Sequence, residues 1–267
     1  MKKVLAMVVV FGLMAVVPAQ LFASSISCWF PPGWASKADQ AEAITKALSE
    51  KSGIEVSPRI ASSYPEILTS FATGENNLVY VGSFVQSIIK ARGLGTPLVQ
   101  SVNGKELYSG IMIYPKGQDP EAILKNSPGK IAYALGASSG ESTAKAATDG
   151  QASIGTKSHA ESVNAIKAGT AAAAVVKNWW WQANQAKYSN LEAYNIPSCS
   201  KVGNPDNVLT ASHALPQDVQ SKITAAALQS KEAFGAKSMR IFPEDTLLFS
   251  LWLMKKGGID PATYSWE

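Results

Sequence analysis

Residues 130–147, KIAYALGASSGESTAKAA, join three patterns in one short segment. Ile131 to Leu135 is an apolar run suited to a buried strand, Gly136 to Gly140 is a glycine- and serine-rich loop, and a helix opens near Glu141 to Thr143. A loop running from a strand into a helix aims backbone N–H groups and hydroxyls at one point, where the helix dipole also favours negative charge. The same loop spells G-x-S-x-G over Gly136, Ser138 and Gly140, the pattern of a serine-hydrolase elbow. The residues by themselves leave both readings open, a cradle for an anion and a nucleophile.

The amino terminus bears on the compartment. Lys2 and Lys3 precede an apolar run from Val4 to Val17, followed by Pro18 and a small-residue exit at Ala23-Ser24-Ser25. That is the layout of a secretory signal, and the run is shorter than the roughly 20 residues a membrane-spanning helix needs. The expectation is export to the periplasm with residues 1–23 removed, cleavage after Ser25 being the alternative. Without the two signal lysines, 22 basic residues face 20 acidic ones. Near-neutral charge with no Lys/Arg block argues against a nucleic-acid partner. The chain has two cysteines, Cys28 and Cys199. In an exported protein an even pair is a possible disulfide, and two buried thiols are the alternative. Neither has a Cys or His at metal-binding spacing, so no metal or cofactor is expected.

The rest of the chain alternates strand and helix patterns, which points to an α/β fold. Strands are expected at 27–30, 55–61, 78–82, 99–101, 108–114, 131–135, 171–176, 191–196 and 208–211. Helices are expected at 39–52, 65–72, 84–91, 120–125, 158–168, 217–234 and 244–255. Two broken stretches, at about 114–119 and 197–206, cut this pattern. The expected layout is a discontinuous first lobe from 24–114 and 206–267, and a second lobe from 115–205. Two crossing hinge strands would join them, with a ligand cleft where strand carboxyl ends and helix amino ends of both lobes meet.

At this point the chain resembles the periplasmic solute-binding proteins of phosphate, phosphite and phosphonate ABC transporters. The likeness is carried by Tyr64 ahead of a helix, LVYVGSFVQSIIKARG (78–93), YSGIMIYPKG (108–117), ASSGEST (137–143) and SHAESVNAIKAGTAAAAV (158–175). The resemblance implies a two-lobed, cleft-closing fold of the type II-like periplasmic-binding class. It also implies a monomer that captures a small oxyanion for an ABC permease, with a membrane sensor as the alternative partner. The implied site takes Tyr64, Ser83 and Tyr108 from one lobe, and Ser138, Ser139, Gly140, Ser142, Thr143 and His159 from the other. The Trp179-Trp180-Trp181 run follows an apolar strand, and Trp179 is expected to wall the cleft.

Some positions depart from the family pattern. After Gly169, where the family often shows an Asp, this chain has Thr170 and then Ala171 to Ala174, which speaks against an amine-bearing ligand. Glu141 lies inside the anion loop and would oppose an anion unless it points outward, and the implied site residues include no Arg to clamp a dianion. The hydrolase alternative would need a base and an orienting acid for Ser138. The candidates are His159 with Asp149, or His213 with Asp206.

Overall fold

The structure, a computed structural model, describes residues 25–266; the expected signal lies outside them. In chain order the elements are β1 (Ile26–Phe30), α1 (Ala38–Ser52), β2 (Val56–Ile60), α2 (Tyr64–Ala72), β3 (Asn77–Val81), α3 (Ser83–Ala91), β4 (Gly95–Val102) and β5 (Leu107–Tyr108). Then come β6 (Gly110–Pro115), α4 (Pro120–Asn126), β7 (Ile131–Ala134), α5 (Ser139–Ala147), β8 (Ile154–Thr156), α6 (His159–Lys167), β9 (Ala173–Lys177), α7 (Asn178–Asn184) and β10 (Leu191–Tyr194). The chain closes with β11 (Asn204–Pro205), β12 (Val208–Ser212), α8 (Gln217–Leu228), β13 (Ser238–Ile241) and α9 (Leu248–Lys256).

Two sheets organise these elements. One runs β13-β4-β12-β3-β1-β2, and the other β10-β6-β9-β7-β8. Each has a parallel centre: β1 pairs with β2 and β3 in the first, and β7 with β8 and β9 in the second. Strands β3, β7 and β9 are apolar along most of their length and buried on both faces, as a helix-covered parallel sheet requires. Ile44 and Leu48 of α1 cover one face of the first sheet, and Ile67, Phe71, Phe84 and Ile88 of α2 and α3 cover the other. Burying each such side chain contributes about 1.5–3 kcal/mol before the entropy of ordering the chain is set against it.

The sheets relocate the expected lobe boundary. Strand β6 pairs with β9 and β10 in the second sheet, so the break at 114–119 is a turn inside that lobe rather than a crossing. The chain crosses one strand earlier. It leaves β4 through β5 and returns through β11, and these two short strands pair antiparallel, Tyr108 opposite Asn204 and Leu107 opposite Pro205. The carboxyl end also departs from expectation. Helix α9 packs on α5 of the second lobe, with Leu253 in that lobe's core and Met254 in the first lobe's. Helix α8 stops at Leu228 instead of Phe234; a turn follows, in which the Ala236 N–H bonds the Lys231 carbonyl at 2.8 Å and Phe234 meets Tyr80 at 5.4 Å between ring centres.

The disulfide does not form. Cys28 and Cys199 are both free and buried, Cys28 in the core of the first sheet and Cys199 in the core of the second. Each packs as a small apolar residue, and burial raises both thiols above their ordinary pKa, which makes them poor nucleophiles. Alkylation of the denatured, unreduced protein is therefore expected to label two thiols by mass spectrometry. Labelling of none would contradict this packing.

Candidate functional site

In each lobe the carboxyl ends of parallel strands feed directly into helix starts. Strand β2 leads to α2, β3 to α3, β7 to α5 and β8 to α6. The first residues of these four helices are Tyr64, Ser83, Ser139 and His159. Three of the helices are capped by the serine just before them. Ser63 accepts from the Glu66 N–H, Ser138 from the Gly140 N–H, and Ser158 from the Glu161 N–H. Each cap is worth about 1 kcal/mol and fixes where the helix begins.

Two of these starts, those of α3 and α5, meet at Tyr108, which comes from the crossing strand β5 and is 1% exposed. Its hydroxyl lies 2.8 Å from Ser83 Oγ and accepts the Ser139 N–H at 3.0 Å. One phenol thus joins the start of α3 in the first lobe to the start of α5 in the second. Tyr64 is close enough for Tyr108 and Asp206 to raise its hydroxyl's pKa further, although burial is the main cause of that rise. On the second-lobe side, Ser138 Oγ lies 3.5 Å from His159 Nε2. The Ser139 hydroxyl and His159 Nδ1 are buried with no hydrogen-bond partner among the described residues. Orphaned polar atoms of this kind call for a ligand or water to complete them.

The serine loop does not converge as a whole. Ser142 Oγ donates back to the Ser139 carbonyl at 3.2 Å, and Thr143 packs against the backbone of Gly110, its hydroxyl also buried with no hydrogen-bond partner among the described residues. The converging groups are Ser138, Ser139 and Gly140, with Gly140 lying against the Val175 carbonyl of β9. Glu141 points away from them. Its carboxylate accepts the Gly136 N–H and the Tyr264 hydroxyl, both at 2.8 Å, and pairs with Lys145 at 2.7 Å. The charge that would oppose an anion is thereby turned out of the site and neutralised. Gly136 sits at φ 60°, and a Cβ there would collide with the Trp266 ring, so only glycine lets the carboxyl-terminal tail close over this loop.

Trp179, expected to wall the cleft, lies against the crossing strand β5. Its indole N–H donates to the Leu107 carbonyl at 3.3 Å, and Lys105 lies over its ring. Trp180 is the member of the run that approaches the site, 5.7 Å from the His159 ring, while Trp181 is buried against Tyr188. Two residues also stand here that the sequence did not place in a binding site: Lys177, and Asp206, which entered only as an acid for His213. Lys177, the last residue of β9, forms an ion pair with Asp206, just after β11, and its ammonium lies 4.3 Å from the centre of the Tyr108 ring. Gly82 leaves the room for Asp206, since a Cβ there would be 2.7 Å from its carboxylate. The available signal was position: each is a lone charge at the edge of an apolar strand.

The hydrolase geometry is incomplete. Ser138 has extended backbone angles, φ −158° and ψ −178°, rather than the strained turn that lifts an elbow serine. Among the described residues no carboxylate orients His159 Nδ1. Asp149 lies beyond the far end of α5, near Cys199. Asp206 pairs with Lys177, and the His213 N–H bonds the Leu94 carbonyl on the first sheet.

Two α/β lobes joined by paired crossing strands, with helix starts from both meeting at the junction, define a cleft-type binding protein. The family model for the periplasmic substrate-binding protein of phosphonate ABC transporters matches residues 35–266, and the chain belongs to that family. No curated protein matches it in sequence. Among solved structures, a Xanthomonas citri protein bound to ATP has a TM-score of 0.69 at 12% identity, covering 88% of this chain and 98% of that one. PhnD1 from Prochlorococcus marinus, in complex with methylphosphonate, has a TM-score of 0.66 at 14% identity, covering 87% and 98%. A binding component of a Pseudomonas aeruginosa phosphonate transporter has a TM-score of 0.61 at 14% identity, covering 87% of each chain. These likenesses show the fold. The chain is thus a periplasmic substrate-binding protein of the phosphonate ABC transporter family.

His159 supplies a test of the site's burial. Burial, and secondarily the charge of Lys177, push its pKa down to about 4 from the ordinary 6.5. Between those values the unfolded chain binds more protons than the folded one, so stability falls as pH drops from 6.5 towards 4. The slope reaches at most about 1.4 kcal/mol per pH unit. His159→Asn is expected to flatten the fall of the melting temperature across that window. Equal slopes for variant and wild type would contradict the assignment.

Proposed function

We propose that this chain captures a small phosphorus oxyanion, such as a phosphonate, phosphite or phosphate, between its lobes and presents it to an ABC permease. The observation supporting this reading is the meeting of two helix starts, one from each lobe, at the Tyr108 hydroxyl, with Tyr64 near it on the first-lobe side and His159 beside Ser138 and Gly140 on the second. Their dipoles place partial positive charge at one point without any unpaired cation. The anion would take the Ser139 N–H from Tyr108, accept from the Ser139 and Ser138 hydroxyls, and meet the neutral His159 ring as a donor. Tyr64, Ser83 and Tyr108 would close on it from the other side. Ser142 and Thr143 would support the helix rather than touch ligand.

Contacts from both lobes favour the closed arrangement, so the ligand drives closure about the β5–β11 crossing and the permease reads the closed form. The protein would act as a monomer, without catalysis, after export directed by residues 1–23. The unpartnered His159 Nδ1 supports the non-catalytic reading, because a serine nucleophile needs an oriented base.

Ser139→Ala separates binding from folding. The hydroxyl has no partner in the unliganded protein, so the variant is expected to melt at or above the wild-type temperature. Calorimetric titration with methylphosphonate, phosphite and phosphate is expected to show binding of the best of these weakened by about 1–3 kcal/mol. Unchanged affinity would remove Ser139 from the site, and failure of all three anions to bind the wild type would refute the oxyanion reading.

A further inference from the structure

The Lys177–Asp206 pair has the makings of a cation seat that the protein fills itself. Lys177 comes from the second lobe and Asp206 from the return crossing into the first. Both side chains are about four-fifths buried. The ammonium is held by a carboxylate on one side and by the Tyr108 ring face, 4.3 Å away, on the other. An acid beside an aromatic face is the arrangement that recognises an ammonium ligand. The phenol edge of the same ring marks the proposed anion position, since its hydroxyl accepts the Ser139 N–H. A short alkyl linker would span from one seat to the other.

We propose that Lys177 stands in for a ligand amine, so that the site selects phosphorus oxyanions without an amino group over aminoalkyl phosphonates. The inference rests on the oxyanion reading above and names the substrate class within it. An aminoalkyl phosphonate would bring a second ammonium to a carboxylate already paired, and like charges at close range repel. A methyl group or a bare oxygen in that direction meets no such penalty. Removing Lys177 reverses the preference, because Asp206 is then left as a buried carboxylate without its counter-ion, and a ligand ammonium restores the pair.

The test compares methylphosphonate with 2-aminoethylphosphonate by calorimetric titration of the full mature chain, for the wild type, Lys177→Met, and Lys177→Met combined with Asp206→Asn. The wild type is expected to bind methylphosphonate at least about tenfold more tightly than the amine, a difference of about 1.4 kcal/mol. Lys177→Met is expected to shift that ratio at least about tenfold towards 2-aminoethylphosphonate, and adding Asp206→Asn is expected to abolish the shift. A wild type that binds the amine as tightly as methylphosphonate overturns the proposal with no need of a variant. So does a ratio unmoved by Lys177→Met. A wild type that binds neither compound, nor phosphite nor phosphate, instead overturns the oxyanion reading on which the proposal rests.

Discussion

The rest of the site depends on one contact, the Ser139 N–H donating to the Tyr108 hydroxyl at 3.0 Å. Tyr108 belongs to a two-residue crossing strand and Ser139 opens a helix of the second lobe. Ser83, opening a helix of the first lobe, holds the same hydroxyl from the other side at 2.8 Å. The hydroxyl's partial negative charge sits where two helix dipoles point, so its place is favourable for any oxygen-rich anion able to displace it. Hinge, lobes and donors are tied together at that atom. A ligand that replaces it acts on the relative position of the lobes as well as on its own contacts.

Charge around this point is arranged to leave the helix ends unopposed. Glu141, in the first turn of α5, is held away by Gly136, Lys145 and Tyr264. Tyr264 also packs edge-on against Phe84 of the first lobe, 5.0 Å between ring centres, so the tail that neutralises Glu141 spans the two lobes. Lys177 and Asp206 cancel one another beside Tyr108. None of the three arginines is set to clamp a dianion here: Arg92 bonds the Tyr264 carbonyl of the tail, Arg240 bonds Gln100, and Arg59 is exposed on β2. What remains to hold an anion is neutral: backbone N–H groups, hydroxyls and a buried imidazole. Such a site relies on pre-aimed dipoles, which lose no side-chain entropy when the ligand arrives.

Much of this was legible in residue order because the site is built from local signals. A strand running into Gly-Ala-Ser-Ser-Gly announces a capped helix, although it opens at Ser139, two residues before the expected Glu141, and Ser158-His159 repeats the device. Tyr108 has no local signal of its own and was reached only through family resemblance. Lys177 and Asp206, 29 residues apart, become partners only when the lobes dock. The same holds for Tyr264 and Glu141, 123 residues apart. Cysteine count left a disulfide and two buried thiols both open, and burial in two separate cores decided the matter. The Tyr114-Pro115 break looked like a crossing because proline and glycine mark any turn, and only strand pairing tells an internal turn from a change of lobe. Strand β13 and strand β8 are mostly polar or half-exposed and carry too little apolar alternation to be read.

The exchange of partner at Ser139 is the claim closest to the mechanism. Its most direct measurement is backbone amide NMR of the labelled protein during titration with methylphosphonate and phosphite. The account predicts that the Ser139 amide proton moves downfield with one of these ligands, among the largest changes in the spectrum, as a phenol oxygen is replaced by an anionic one. Saturable binding that leaves the Ser139 and Gly140 amides unmoved would place the ligand elsewhere and contradict the account.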